Sequence, residues 1–219
     1  AITVGGENFM NLGDNFVQEG LANRITPFVT KSTKVGDQLN THNYDTEKTY
    51  DAVMNKFKWG GLNNPNFYLD ETIARMAYTH RREIAQLALE LIAESKYDKA
   101  LKVLQKVEKE IPYTVVPCVY MSGAADIAQA YTLLGKKAKA QQIYDQLWKY
   151  SKQYANYYMN LGSRYFDMSQ GSCKMHFQIM INLVRANDRT NRAWANKHAA
   201  ELDQIMRNFQ SLGGNLHDN

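Results

Sequence analysis

A spacing pattern recurs in this sequence at an offset of 40 residues. In each copy, two alanines flank a small residue that stands where the chain would have to turn. The two copies align as Ala88, Ser95, Ala100 and Leu104 with Ala128, Gly135, Ala140 and Tyr144. Alanines at these positions let two antiparallel helices approach closely, and the small residue between them reverses the chain. Because each helix pair needs neighbours to cover its open faces, the pattern predicts a stack of helix pairs.

This pattern resembles the tetratricopeptide repeat, whose usual period is nearer 34 residues. The excess falls between Pro112 and Pro117, a connector that cannot be continuous helix because proline lacks the backbone donor. We expect a third, degenerate pair at residues 157–168 and 173–186, with Gly171 near its turn, and a capping helix over residues 191–210. The predicted fold class is therefore all-α, a tetratricopeptide-like stack of antiparallel helix pairs behind a short, partly extended N-terminal segment.

The chain divides into three predicted regions. Residues 1–44 form a loop-rich segment, with strands expected at Ala1–Val4 and over residues 21–29, and a polar surface stretch after them. Residues 45–70 combine a helix with an aromatic Gly/Asn/Pro stretch. Residues 71–212 hold the helical repeats and the capping helix.

Two helix boundaries can be predicted more closely. The first helix is expected to begin near Asp45 and to be stopped by Trp59 and the glycines that follow it. A long helix then begins after the Asn-Pro turn, with Asp70 or Asn66 as its N-cap. The next helix is expected over about residues 96–110.

The stretch KFKWGGLNNPNFYLD, from Lys56 to Asp70, has two interpretations. It could be a ligand-binding loop, or a brace that clamps the N-terminal segment against the first repeat. We predict a brace and expect the side chains of Trp59 and Tyr68 to be largely buried. If both side chains were exposed and lined a pocket, the ligand-binding loop would be favoured. The predicted brace residues are Phe57, Trp59, Gly60, Gly61, Pro65, Phe67 and Tyr68.

Composition excludes several function classes. Hydrophobic residues make up 44% and mean hydropathy is −0.51, which is typical of a soluble globular protein. No run approaches the roughly 18 apolar residues that would span a bilayer, so we expect no direct membrane insertion by this chain, which we take for a processed product or a piece of something longer. Residues 1–70 hold six Lys/Arg and eight Asp/Glu, so the remainder carries a net +6. This excess of positive charge is small, and the sequence has no dense Lys/Arg patch. We therefore expect no nucleic-acid partner.

No catalytic, cofactor-binding or metal-binding residue is predicted, and no cofactor is expected. Cys118 and Cys173 are interpreted as buried free thiols, with a single disulfide as the alternative in an oxidising compartment. Cys173 and His176 could touch on a helix, but no orienting carboxylate is near them in sequence. No two histidines show the spacing of a metal site. The histidines are His42, His80, His176, His198 and His217.

The chain contains 14 tyrosines, which suit either the core between repeat helices or a partner groove that binds a sugar or an extended peptide. If a groove exists, the inner helix of each pair lines it. The candidate groove residues are Tyr78, His80, Arg81, Tyr120, Tyr131, Tyr158 and Arg164.

Two arginine clusters also have two interpretations. The stretch Thr79-His80-Arg81-Arg82 could meet an anion or an acidic partner. We predict instead that Arg75, Arg81 and Arg82 cover a solvated face and pair with Glu71, Glu83 or Glu90. A second cluster of Arg185, Arg189 and Arg192 is interpreted as a solvated helix junction.

Residues 50–76 carry a more specific resemblance. Tyr50-Asp51-x-Val53-Met54-Asn55-Lys56-Phe57-Lys58-Trp59-Gly60, then Asn64-Pro65-Asn66-x-Tyr68-Leu69-Asp70-Glu71 and Arg75-Met76, is similar to the extracytoplasmic C-terminal region of a bacterial multi-spanning membrane protein family of unknown function. Residues 14–27 resemble the stretch that leads into that region. The family is glycosyltransferase-like and related to protein O-mannosyltransferases. The resemblance implies that this chain is a soluble, periplasmic tail without the membrane-embedded catalytic part.

Two functional hypotheses follow. In the first, the chain is the non-catalytic extracytoplasmic tail of a membrane glycosyltransferase-like protein and binds or positions a polypeptide acceptor. In the second, it is a scaffold for envelope protein–protein interactions with no role in sugar transfer. A protein or peptide partner is expected in both. A soluble enzyme is the third interpretation, and no group of residues in the sequence supports it.

Overall fold

The computed structural model describes residues 15–28, 34–35, 38–39 and 43–216. Over these ranges the protein is predominantly α-helical, which confirms the predicted fold class. None of the helices in these ranges combines the length and the apolar character that crossing a bilayer requires. The chain divides into two compact units, Ala1–Lys136 and Lys137–Asn219.

The N-terminal part of unit 1 is a small sheet. Strand β1, Phe16–Glu19, pairs antiparallel with β2, Ala22–Ile25, and in parallel with β5, Asn43–Tyr44. Two further short strands, β3 at Lys34–Val35 and β4 at Gln38–Leu39, pair antiparallel with each other. The strand predicted over residues 21–29 is thus shorter than expected, and β1 was not predicted. The strand predicted at Ala1–Val4 lies outside the described residues.

Helix α1 covers Thr46–Asp51, and a π-helical turn at Ala52–Lys56 continues it. The Asp45 carboxylate caps the helix by accepting a hydrogen bond from the amide of Lys48. The predicted start of the helix near Asp45 is therefore confirmed. The predicted stop at Trp59 is wrong, because Phe57 already has extended backbone angles, φ −66° and ψ 138°.

Helices α2, Glu71–Ala93, and α3, Tyr97–Glu110, form the first predicted pair, and Asp70 is the N-cap of α2. The turn between them places Ser95 in the left-handed region, at φ 61°. The amide of Ser95 donates to the carbonyl of Ile92, and that of Lys96 donates to the carbonyl of Leu91 at 2.8 Å. These two bonds make a Schellman motif, which satisfies carbonyls that the helix end would leave unpaired.

The same turn recurs 40 residues later, at the end of α4, Ala124–Leu133. Gly135 has φ 71°, its amide donates to Thr132, and the amide of Lys136 donates to the carbonyl of Tyr131 at 2.8 Å. Helix α2 packs against both α3 and α4. The turn of the sequence repeat therefore recurs in the local structure, at Ser95 and at Gly135.

The described residues of unit 2 form three helices: α5, Lys137–Met159; α6, Ser163–Asp188; and α7, Arg192–Ser211. Helix α6 packs against α5 and α7. The predicted capping helix is confirmed as α7. The predicted third pair is wrong, because α6 runs without interruption through Gly171 and pairs with α7. Glycine in a helix interior costs only about 1 kcal/mol, which packing on both sides of α6 offsets.

Candidate functional site

Arg81 was predicted on a solvated face or in a groove, and both predictions are wrong. Its side chain is 1% exposed in the core of unit 1. Nη2 donates to the carbonyls of Ile111 at 2.9 Å and Val116 at 2.8 Å, and Nη1 donates to the carbonyl of Pro117 at 3.0 Å. The guanidinium also lies 4.5 Å from the ring centroid of Tyr113. Arg81 therefore organises the connector between the first two repeats.

The chemistry of the connector explains this arrangement. Its two prolines prevent a helix, so its carbonyls need donors from elsewhere, and the five donors of a guanidinium supply them. A fourth bond runs from Nη1 to Ser122 Oγ at 3.2 Å. Burial lowers the pKa of Arg81 and raises the pKa of Cys118 to about 12. The Cys118 thiol is therefore protonated and unreactive, although the charge of Arg81 acts in the opposite direction.

The other groove candidates in unit 1 differ in their burial. Tyr131 is fully buried in the core, which contradicts its predicted role. Tyr78, His80 and Tyr120 are half-buried. Burial lowers the pKa of His80, although the charge of Glu83 acts to raise it.

The aromatic brace is only partly present. Phe57 and Trp59 make an edge-to-face contact with ring centroids 5.9 Å apart. Phe57 also lies against the β1–β2 turn, because a Cβ at Gly20 would come within 3.3 Å of its ring. In contrast, Phe67 is 43% exposed and Tyr68 is 86% exposed, so the predicted burial of Tyr68 is wrong.

The remaining brace residues also differ from the prediction. Pro65, Gly60 and Gly61 are exposed, and both glycines lie in turns. Polar contacts join β1 and α1 to α2 and to Glu94, the residue that follows it. Thr46 Oγ1 donates to a Glu94 oxygen at 2.9 Å, and Gln18 donates to Glu83. Polar side chains form these contacts, and the spacing of hydrophobic residues in the sequence does not reveal them.

In unit 2, four tyrosines of α5 line one side of the helix. Tyr150, Tyr154, Tyr157 and Tyr158 follow the i, i+4, i+7, i+8 spacing of a helix face. The ring centroids of Tyr150 and Tyr154 are 4.5 Å apart, and those of Tyr157 and Tyr158 are 5.4 Å apart. We call these four residues the tyrosine ridge.

His176 of α6 lies beneath the tyrosine ridge. Its imidazole stacks on Tyr154, with centroids 5.3 Å apart and planes 16° apart, and on Tyr158 at 6.0 Å. His176 is 4% exposed, and its Nδ1 is buried without a hydrogen-bond partner among the described residues. Burial is the one cause that lowers the pKa of His176, so the ring is neutral at pH 7.

The ridge is open to solvent on its outer side. Tyr157 is 58% exposed and Tyr154 is 37% exposed, while Tyr150 and Tyr158 are half-buried. Each ring presents an apolar face together with a hydroxyl that can donate or accept a hydrogen bond. Tyr158 is the one candidate groove residue of unit 2 that lies in the ridge. Arg164 is exposed, and its guanidinium lies 5.6 Å from the ring centroid of Tyr165.

A second aromatic cluster joins α5 to α7. The imidazole of His198 stacks on Trp194 with centroids 3.8 Å apart and meets Trp148 edge-on at 4.5 Å. Trp148 Nε1 donates to Glu201 Oε2 at 3.0 Å, and Trp194 Nε1 donates to Asp145 Oδ1 at 2.7 Å. All three aromatic side chains are buried, so this cluster stabilises unit 2 and offers no surface to a ligand.

Glu201 is also paired with Lys152 across the same helices. Burial acts to raise the pKa of Glu201, but the hydrogen bonds from Lys152 and Trp148 outweigh it and lower the pKa. Glu201 therefore stays ionised and holds α5 and α7 together.

The remaining candidate groups are the two cysteines and the histidines near the ends of the chain. Cys118 and Cys173 are free thiols, and burial raises the pKa of Cys173 to about 11. The Cys173 thiol donates to the carbonyl of Ala155 at 3.7 Å. Among the described residues, no group of three or more His, Cys, Asp or Glu side chains could hold a metal ion. His42 and His217 lie outside the described residues.

Comparison of the chain with protein-family models, with curated proteins and with solved structures gave no match. The resemblance of residues 50–76 to a membrane glycosyltransferase-like family stays a prediction. The geometry of the tyrosine ridge is therefore the basis for assigning a function.

Proposed function

We propose that this protein is a helical-repeat binding module and that the tyrosine ridge binds an extended polypeptide segment. The observation that carries the proposal is the row of four tyrosines on α5, whose outer rings Tyr154 and Tyr157 are 37% and 58% exposed. Tyrosine is enriched at protein interfaces because it supplies a large contact area at a low cost in side-chain entropy.

The dimensions of the ridge suit an extended chain. Tyr150 and Tyr158 are eight residues apart on one helix, which is about 12 Å. An extended polypeptide advances about 3.3 Å per residue, so the ridge covers about four residues of a partner. The tyrosine hydroxyls can bond the backbone of such a segment, whose own peptide groups are unpaired.

Charge indicates the composition of the partner. Unit 2 contains eleven Lys/Arg and six Asp/Glu, a net +5. A neutral or acidic segment is favoured over a basic one, because like charges repel during encounter. The stacked His176 beneath the ridge is neutral at pH 7 and adds no charge to the surface.

The resemblance in residues 50–76 supports a finer proposal. In it, the partner is a polypeptide acceptor for protein glycosylation, and the chain is the periplasmic tail of a membrane glycosyltransferase-like protein. The alternative is an envelope scaffold with no role in sugar transfer. Deleting the tail from the full-length gene separates the two, because the first predicts reduced glycosylation of the bound protein and the second predicts unchanged glycosylation.

The binding proposal itself is tested with an array of ten-residue peptides of varied composition, probed with the full chain. We expect a set of neutral or acidic peptides to bind, and the double variant Tyr154→Ala, Tyr157→Ala to lose them. Tyr97→Ala is the matched control, since Tyr97 is 53% exposed but lies in unit 1. An array in which the double variant binds as the unmodified chain does would overturn the proposal.

A further inference from the structure

The tyrosine ridge rests on a side chain that titrates near neutral pH. The ring centroid of His176 lies 6.1 Å from that of Tyr150, 5.3 Å from that of Tyr154 and 6.0 Å from that of Tyr158. The imidazole plane is inclined by 16° to the ring of Tyr154 and by 28° to that of Tyr158, so both rings stack on it. One imidazole therefore supports three of the four ridge tyrosines.

The fourth tyrosine depends on the same support through a neighbour. The ring of Tyr157 meets that of Tyr158 edge-on, with centroids 5.4 Å apart. The two exposed rings that the proposed function requires are Tyr154, which stacks on His176, and Tyr157, which leans on a ring that does. A movement of the imidazole therefore reaches both rings.

The surroundings of His176 suit a neutral ring and not a charged one. Its side chain is 4% exposed, and its Nδ1 has no hydrogen-bond partner among the described residues. An imidazolium carries a proton on both nitrogens, whichever tautomer the neutral ring adopts, so its Nδ1 proton would be buried without an acceptor. The tyrosine faces attract a cation, but a buried charge without a counter-ion or water is disfavoured more strongly.

The charged groups of α5 do not compensate a proton on His176. This helix presents phenols to the ring, and phenols carry no charge in acid. The lysines beside Tyr150 in sequence are both positive: Lys149 is exposed, and Lys152 is paired with Glu201. Burial is accordingly the only cause of the lowered pKa of His176.

Helices α6 and α7 supply no counter-charge either. Cys173 is one turn before His176, and burial raises the pKa of its thiol to about 11, so it stays neutral in acid. Lys174 is positive, and residues two apart on a helix do not face each other. On α7, the carboxylate of Glu201 is engaged by Lys152 and Trp148, and that of Asp203 is exposed.

Acid therefore removes the support of the ridge. A protonated imidazole is stabilised by moving to water or by admitting water, and either change separates it from Tyr154 and Tyr158. A partner that binds the ordered ridge has a higher affinity for the unprotonated protein. By linkage, each pH unit below the pKa of His176 in the free protein weakens such binding by up to tenfold.

We propose that His176 is a pH sensor for the tyrosine ridge, so that acid releases the polypeptide segment that the ridge binds at neutral pH. The inference rests on the proposed function of the ridge and adds its regulation. His176 acts as a positioning residue here, because it lies under the tyrosines and does not touch the partner.

The test measures the dissociation constant of one array peptide for the full chain by isothermal titration calorimetry at pH 7.5 and pH 4.5. The peptide is the strongest binder that lacks Asp, Glu and His and has blocked ends, so that it does not titrate in this range. We expect at least fivefold weaker binding at pH 4.5, with the fold intact by circular dichroism at both pH values.

Two variants assign the effect to His176. His176→Phe keeps an aromatic ring under the ridge but cannot be protonated, so its dissociation constants at the two pH values should agree within twofold. His176→Gln, which also lacks the titration, is the second variant. His80→Gln is the matched control on α2, because the pKa of His80 is also lowered by burial, and it should keep the pH dependence of the unmodified chain.

The outcomes separate this inference from the proposed function. Equal dissociation constants at the two pH values in the unmodified chain, or the same weakening in both His176 variants, would overturn the regulation alone. The absence of binding at pH 7.5, or binding at that pH that survives Tyr154→Ala combined with Tyr157→Ala, would overturn the proposed function and the regulation with it.

A measurement without peptide checks the packing directly. In a chain with carbon-13-labelled tyrosine, the ring signals of Tyr154 and Tyr158 should shift together between pH 7.5 and pH 4.5. In His176→Phe the same signals should stay in place. Ridge signals that do not move in a chain that releases its peptide in acid would place the titrating group elsewhere and would contradict the role of His176.

Discussion

The imidazole of His176 lies stacked on the ring of Tyr154, with centroids 5.3 Å apart, and its Nδ1 is buried without a partner among the described residues. A histidine in this position is stable only when neutral, because burial penalises its charged form. The tyrosine ridge and the buried histidine are therefore coupled, and protonation of the ring weakens the packing that supports the ridge.

This coupling predicts how stability depends on pH. The pKa of His176 is lowered in the folded protein, whereas in the unfolded chain it has its ordinary value of about 6.5. Above that value the ring is neutral in both states and carries no penalty. As pH falls below it, the unfolded chain binds a proton first, so the free energy of unfolding decreases until the pH reaches the lowered pKa of the folded state.

Urea unfolding at pH 7 and pH 5 measures this effect. His176→Gln should lose less stability between the two values than the unmodified chain does. His80→Gln is a second comparison, because the pKa of His80 is also lowered and gives that residue its own pH-dependent contribution. The variant with both substitutions should therefore lose less stability than either single variant. The interpretation would be wrong if His176→Gln showed the same decrease as the unmodified chain.

Arg81 is expected to be the most sensitive charged residue of unit 1. Arg81→Met removes the guanidinium donor from the carbonyls of Ile111 and Val116, while the carbonyl of Pro117 keeps the amide of Val119 as a donor. The loss should cost about 3 kcal/mol of unfolding free energy. Arg75→Met, on the same helix but exposed and paired only with Glu71 among the described contacts, should cost about 0.5 kcal/mol or less. Chemical denaturation measures both, and similar losses would contradict the role assigned to Arg81.

Two glycines with the same backbone angle allow a matched comparison. Gly123 and Gly135 have φ of 73° and 71°. A Cβ at Gly123 would lie 2.6 Å from the Cα of Arg82, whereas one at Gly135 meets nothing within 4 Å. Alanine at Gly135 should therefore cost about 1–2 kcal/mol, the price of the left-handed conformation alone.

Alanine at Gly123 carries the same conformational cost and a backbone clash in addition. Its melting temperature should be clearly lower than that of Gly135→Ala in thermal unfolding followed by circular dichroism. Equal melting temperatures would show that α2 and the start of α4 can move apart without cost.

Local spacing in the sequence predicted much of unit 1. The alignment of Ser95 with Gly135 identified two turns that share the same Schellman hydrogen bonds, because the signal lies in adjacent residues. The start of α1 at Asp45 and the N-cap of α2 at Asp70 were predictable for the same reason. The position of Arg81 was not, since a cation on a helix is exposed by default and its connector partners lie 30 or more residues away.

In unit 2, a glycine in the sequence led to a wrong prediction of a turn. Gly171 suggested a turn, but the chain turns at Asn160–Gly162 and α6 continues through Gly171. The tyrosines of α5 were recognised as candidates for either a core or a groove, and their spacing alone could not separate the two. Exposure of Tyr154 and Tyr157 over the buried His176 is a tertiary property, because it depends on which face of α5 packs against α6.

The most direct test of the tyrosine ridge is the dissociation constant of its best array peptide, measured by isothermal titration calorimetry at pH 7. Tyr154→Ala combined with Tyr157→Ala should weaken binding at least tenfold, because central aromatic residues of an interface each contribute more than about 1 kcal/mol. Tyr97→Ala should leave the constant within twofold. An unchanged dissociation constant in the double variant, with its fold intact by circular dichroism, would contradict the assignment of the ridge as the binding site.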